Sequence, residues 1–159
     1  MKNYASSDFL KIAEYDEELN VYVVEATGED ITITVGEEDD DYNYGLSGNA
    51  SGSIFVVGSG NGSAYRLGSG KGSAERYGAG TGSAYRDGSG EGSAYREGLG
   101  KGSAYRGGSG KGDAIRDGSG KGSAWKGGPG NGSAYRKGSG NGWAFRDSIE
   151  IKMDEENAE

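Results

Sequence analysis

Gly88-Ser89-Gly90-Glu91-Gly92-Ser93-Ala94-Tyr95-Arg96-Glu97 is one statement of a ten-residue phrase that the chain writes nine times without a break, from Gly58 to Asp147. The phrase is Gly-Ser-Gly-x-Gly-Ser-Ala-Tyr-Arg-x, and Gly48 to Val57 reads as a degenerate tenth copy in the same register. Positions 1, 3 and 5 are Gly in all nine copies and position 7 is Ala in all nine. Position 9 is always basic: Arg66, Arg76, Arg86, Arg96, Arg106, Arg116, Lys126, Arg136 and Arg146. Position 8 carries Tyr65, Glu75, Tyr85, Tyr95, Tyr105, Ile115, Trp125, Tyr135 and Phe145, whereas positions 4 and 10 vary freely and should face solvent. A fixed period of this kind implies a stacked, quasi-one-dimensional architecture.

Ten is an even number, and successive side chains of an extended chain alternate faces. The glycines and the alanine at positions 1, 3, 5 and 7 therefore share one side, with Ser, x, Ser and Tyr on the other. Three glycines per repeat, each costing roughly 1 kcal/mol relative to Ala in a helix interior, exclude a helix. The pattern predicts an all-β fold: a tight β-solenoid of about ten coils, one decapeptide to a coil, with a Gly/Ala core. At about 4.8 Å per coil the rod would be roughly 48 Å long. A flexible Gly/Ser linker would not keep an aromatic, an arginine and an alanine in register. A polyglycine helix has three residues per turn, which conflicts with glycine at every second residue.

The flanks differ in kind. Residues 1–47 are expected to form an acidic N-terminal β cap, residues 48–147 the solenoid, and residues 148–159 a capping strand with an acidic tail. Phe9 to Tyr15 is read as a strand, with a short helix capped by Ser6, Ser7 or Asp8 as the alternative. Asn20–Ala26 and Ile31–Val35 are β-branched runs separated by Thr27-Gly28-Glu29-Asp30, which signals a hairpin of a small β-meander over the first coil. Ile54, Phe55, Val56 and Val57 add apolar surface there, and Trp143, Phe145, Ile149, Ile151 and Met153 do so at the far end, where an open stack needs closing.

Charge separates along the chain. Residues 58–147 hold 14 basic and 7 acidic residues, a balance of +7; residues 1–57 hold 2 and 13, or −11; residues 148–159 hold 1 and 5, or −4. The sharpest acidic run is Glu37, Glu38, Asp39, Asp40 and Asp41. The chain has no His and no Cys, so the commonest general base and the most reactive nucleophile are missing, and no enzyme activity, cofactor or metal site is expected. Glycine spacing like that of a phosphate loop lacks the required strand and helix, and the nonapeptide calcium repeat would need an Asp in every turn. No apolar run approaches a membrane span and Met1-Lys2-Asn3-Tyr4 has no apolar signal region, so a soluble cytoplasmic protein is the expectation.

Two surfaces remain as binding candidates. The first pairs the aromatic column with the neighbouring arginines: Tyr65, Arg66, Tyr85, Arg86, Tyr95, Arg96, Tyr105, Arg106, Arg116, Trp125, Tyr135 and Arg136. Stacking faces beside guanidinium groups are what single-stranded nucleic-acid grooves use, so a polyanion is one expected partner. The second is the acidic patch Glu37–Asp41, read as a free surface for a basic host protein. The aromatic stripe could also join copies of the chain into a homo-oligomer. The plainer reading is that stacked tyrosines only hold neighbouring coils together.

The ten-residue period with Tyr65, Tyr85, Tyr95, Tyr105 and Tyr135 in a column is similar to the midge tandem-repeat antifreeze proteins. That resemblance implies a small solenoid whose flat tyrosine ladder binds ice. This chain departs from those proteins in lacking the paired cysteines of each coil, and Glu75 and Ile115 interrupt its row. The array also resembles Gly-rich decapeptide proteins of phages. Together these features are read as a non-enzymatic interaction protein, of the kind a phage uses as an inhibitor, with ice binding and a structural, oligomerising role as the alternatives.

Overall fold

The computed structural model of the chain describes residues 2–25, 31–37, 42–146 and 151–153. In chain order it holds β1 (Lys2–Ala5), α1 (Ser6–Ile12), β2 (Glu14–Asp16), β3 (Val21–Glu25), β4 (Ile33–Glu37), β5 (Tyr44–Ser47) and β6 (Ile54–Gly58). One strand per decapeptide follows: β7 (Ala64–Arg66), β8 (Ala74–Tyr77), β9 (Ala84–Arg86), β10 (Ala94–Glu97), β11 (Ala104–Arg106), β12 (Ala114–Asp117), β13 (Ala124–Lys126), β14 (Ala134–Arg136) and β15 (Trp143–Arg146). β16 (Ile151–Met153) ends the series.

These strands build a β-solenoid from two parallel sheets. The even-numbered β4 to β14 form one, headed by β1; the odd-numbered β3 to β15 form the other, with β2 and β16 at its edges. Consecutive decapeptides therefore lie in opposite sheets, and residues pair with those twenty away: Ala94 faces Ala74 and Ala114, Ala104 faces Ala84 and Ala124. The expected coil of ten residues is thus half a turn. One decapeptide supplies a single strand and a single bend, which reverses the chain once, and closing a turn takes two bends. The solenoid has about six turns. The hundred residues from 48 to 147 make five of them, a rise of roughly 24 Å instead of 48 Å.

The bends explain the glycines. Position 1 has a positive φ in every copy, for example 112° at Gly88 and 123° at Gly98, which L side chains rarely adopt. Position 3 is Gly for lack of space: a Cβ on Gly90 would collide with the carbonyl of Gly70 one turn below and lie 2.6 Å from Nη2 of Arg86. Serine at position 6 closes the backbone ladder. Ser83, Ser103, Ser123 and Trp143 donate their amides to the hydroxyls of Ser63, Ser83, Ser103 and Ser123 at 2.9–3.1 Å. Asp113 replaces serine in the other sheet and keeps the acceptor, taking the Ser133 amide at 2.8 Å.

Inward side chains grade from apolar to charged. Ile33 and Val35, Tyr44 and Leu46, and Ile54 and Val56 fill the first turns, beneath a lid formed by Phe9 of α1. Phe9 packs edge-on against Tyr4 and Tyr44, with centroids at 5.9 and 5.4 Å. From Ala64 onward every inward pair is Ala with Arg or Lys. Two expectations for this end are corrected. Residues 6–12 are helical, because a single turn puts Phe9 over the open coil. The runs at 21–25 and 33–37 form no hairpin: β3 and β4 lie in opposite sheets, as consecutive half-turns of the solenoid. At the far end β16 pairs antiparallel with β15 and interrupts the parallel stacking of that sheet.

Candidate functional site

Position 9 has the same parity as positions 1, 3, 5 and 7, and its side chain points inward. Arg66, Arg76, Arg86, Arg96, Arg106, Arg116 and Lys126 are 0% exposed and Arg136 is 1% exposed. The guanidinium groups lie in the hollows of the bends and donate to the carbonyls there, those of three glycines for Arg86, Arg96, Arg116 and Arg136. Arg96 reaches the Gly82 oxygen through Nε at 2.5 Å, the Gly80 oxygen through Nη2 at 2.6 Å and the Gly78 oxygen through Nη1 at 3.2 Å. Its Nη1 also donates to the carbonyl of Glu97. Arg66, Arg86, Arg116 and Arg136 repeat the Nε bond to Gly52, Gly72, Gly102 and Gly122 at 2.7–2.9 Å. Lys126 donates to Gly127 at 2.6 Å. Beside it, Nη1 of Arg106 is the buried side-chain nitrogen without a partner among the described residues.

This overturns the arginine half of the proposed binding ladder. Arg66, Arg86, Arg96, Arg106, Arg116 and Arg136 are core residues and cannot touch a polyanion from outside. Withdrawing eight buried cations from the 14 basic residues of the array leaves 6, against 7 acidic ones, so the rest of the array balances at −1 instead of +7. Withdrawing the same eight from the chain's −8 leaves −16 on the rest of the molecule. Arg86 and Arg116 stay charged at neutral pH. Desolvation, joined by the Arg106 and Arg66 charges, lowers Arg86 from 12.5 to about 10, and desolvation with Arg136 does the same to Arg116. The rod is only two sheets thick, and water lies one backbone layer away.

Because alternate repeats face opposite ways, the expected single aromatic column is two. The even sheet carries Phe55, Glu75, Tyr95, Ile115 and Tyr135, and so holds both interruptions. Two of its phenols are tied to carboxylates: Tyr77 donates to Glu75, and Tyr95 to Asp117 at 3.4 Å. The odd sheet carries Tyr65, Tyr85, Tyr105, Trp125 and Phe145 without a gap, with successive centroids 4.6, 6.0, 5.0 and 5.8 Å apart. Register extends this column toward the N-terminus through Gly45 and Val23 to Glu14. Burial drives Tyr65, beside Tyr85, from 10.0 up to about 12; burial with Glu97 and Asp117 does the same to Tyr95.

The odd-sheet face is hollowed. A depression of about 370 Å³ between Glu14, Asp16 and Val23 reaches Leu67. A second, of about 270 Å³, runs from Leu67 past Tyr65 and Asp87 to Tyr105. A third, of about 350 Å³, lies between Tyr85, Tyr105 and Trp125. Leu67 borders the first two and Tyr85 and Tyr105 the last two, so they follow one another as a grooved row along the solenoid axis. Of the expected acidic patch, Glu37 ends β4, while Glu38, Asp39, Asp40 and Asp41 lie outside the described residues. Compared with protein-family models, curated proteins and solved structures, the chain matches none.

Sequence reasoning missed the inward arginines and Glu14. The signal for the arginines was present: position 9 is odd, and it stays basic in every copy while the solvent positions 4 and 10 drift. Glu14 enters the column only through an antiparallel pairing that no repeat announces.

Proposed function

We propose that the chain is a non-enzymatic interaction protein that recognises a basic surface of another protein. The observation that carries this reading is the burial of eight cations, which leaves a balance of −16 on the rest of the chain and removes the arginine stripe a polyanion would need. Oppositely charged surfaces steer such encounters and make them sensitive to salt. The lack of His and Cys supports a binding role over a catalytic one.

The test is capture from the native host on the immobilised protein, followed by reconstitution of each captured protein in purified form. The expected partners are basic and release as salt rises from about 0.05 to 0.5 M, where the Debye length shrinks below roughly 10 Å. Retention of the protein on heparin or single-stranded DNA at low salt would overturn the reading. Ice binding is a second reading, favoured by the unbroken odd-sheet column. Its rings, however, turn by 19°, 62°, 71° and 60° from one to the next, so they present no flat lattice. Thermal hysteresis measures it directly.

A further inference from the structure

We infer that the groove on the odd-sheet face is a docking site for an extended, cationic peptide segment lying along the solenoid axis; this deepens the reading of the exterior as a surface for basic partners and rests on it. Three features choose this face and this occupant. The groove's three parts follow one another along the axis, and the residues lining them include carboxylates and aromatic rings but no lysine or arginine. Its aromatic floor is unbroken from Tyr65 to Phe145, and a cation over such a ring is attracted by the ring's quadrupole. Its carboxylates are placed to receive positive charge: Glu14 heads the ring column in register, and Asp87 flanks Tyr85 and Tyr105. On the opposite face Glu75 and Asp117 already accept phenolic protons from Tyr77 and Tyr95, and Glu75 and Ile115 break the aromatic run.

The geometry also sets a spacing. Between Glu14 on β2 and the Tyr85–Asp87 level on β9 lie four strand steps, through β3, β5 and β7. At 4.7–4.9 Å each that is roughly 19 Å, the length of about six extended residues. Over Val23 and Gly45 the floor has no ring, so the chain can sink there between the first carboxylate and Tyr65. A bound segment thus places one basic side chain at Glu14, one about six residues away at Asp87, and any beyond it over Tyr105 and Trp125.

The probe is a blocked ten-residue Gly/Ser peptide with arginines at its second, eighth and tenth positions, titrated calorimetrically and by Trp125 fluorescence at low salt. Glu14→Gln and Asp87→Asn should each weaken binding about three- to tenfold, and Tyr105→Leu by a similar factor, with unchanged circular dichroism. The opposite-face pair Glu97→Gln with Asp117→Asn removes the charge that Glu14→Gln and Asp87→Asn remove together and should change affinity less than twofold. Glu14 and Asp87 lie outside the core, so their variants keep the test valid if Tyr105→Leu fails to fold. Equal losses from both faces would overturn the groove and leave the acidic-exterior reading standing. No binding of the peptide by the parent at low salt would sink the groove, and if basic proteins are not captured either, both readings fall. Displacement of the peptide by an oligothymidylate, or by concentration-dependent dimerisation of the chain, would assign the groove to nucleic acid or to a second copy instead.

Discussion

A guanidinium wholly out of water is costly unless its N–H donors are largely matched, and here the matching acceptors are backbone carbonyls of the bends, with Nη1 of Arg106 the exception. Arginine and glycine at these positions are one device: the glycines have no side chains to occupy the hollow, and the arginine fills it and donates to carbonyl oxygens of the bend. Arg96→Ala should therefore cost on the order of 3 to 5 kcal/mol in chemical denaturation, since carbonyls at Gly78, Gly80 and Gly82 lose their donor and a cavity opens. Lys101→Ala, at an exposed position, should stay within about 0.5 kcal/mol. Lys126 is the natural exception, with one donor group where its neighbours have a fork. Lys126→Arg should stabilise by about 1 kcal/mol; a loss would mean the site is shaped for the smaller head. Titration adds a second check. Tyr65 and Tyr95 keep their protons to about pH 12 in the fold but ionise near 10 when unfolded, so their contribution is full below pH 10 and falls between 10 and 12. Arg86 and Arg116 act oppositely: lowered to about 10, they release protons in the fold before the unfolded chain does, and stability gains from them above pH 10. Absorbance at 295 nm should show a late-titrating phenol component near pH 12 that shrinks in Tyr65→Phe.

At the scale of the strand and its bend, the repeat is a set of separable tasks, and substitutions should sort by task. Ser103→Ala removes the acceptor of the Ser123 amide and should cost about 1 kcal/mol, whereas Ser103→Asp should be tolerated, as Asp113 shows. Gly90→Ala drives a Cβ into the backbone of Gly70 and should lower the melting midpoint far more than Gly107→Ala, whose Cβ would meet only the movable side chains of Tyr105 and Asp87. A comparable melt for the two would mean that the bends do not stack as described. The solenoid, its Gly/Ala interior and the outward aromatics were legible because parity and period act locally and identically nine times. The arginine placement was legible too, but charge at an invariant position reads as surface unless the parity is carried past the alanine. The helix at residues 6–12 was not: its seven residues have no side-chain cap, and what fixes them is the fit of Phe9 against Tyr44, thirty-five residues away.

For the whole molecule the decisive fact is that a turn takes two repeats, so ten residues and twenty residues are different units although the sequence barely distinguishes them. Excision of residues 98–117 removes one full turn and keeps every later repeat in its own sheet. The odd-sheet column would then read Tyr65, Tyr85, Trp125, Phe145, still unbroken. Excision of residues 98–107 alone moves every later repeat to the opposite sheet. Since the repeats share the same inward Ala and basic pair, this shorter deletion should also fold, with stacked turns and a cooperative melt. Its odd-sheet column, however, would read Tyr65, Tyr85, Ile115, Tyr135, and Trp125 and Phe145 would pass to the other face. The twenty-residue deletion should retain affinity for the basic peptide within about threefold, while the ten-residue deletion should lose most of the contribution of Tyr105 and Trp125 and transfer the peptide's effect on tryptophan fluorescence away from the groove. Had each decapeptide been a complete coil, all position-8 rings would lie in one column and the two deletions would behave alike. Identical peptide binding by both, with both folded, would therefore refute the half-turn arrangement on which the two faces, the groove and its register all depend.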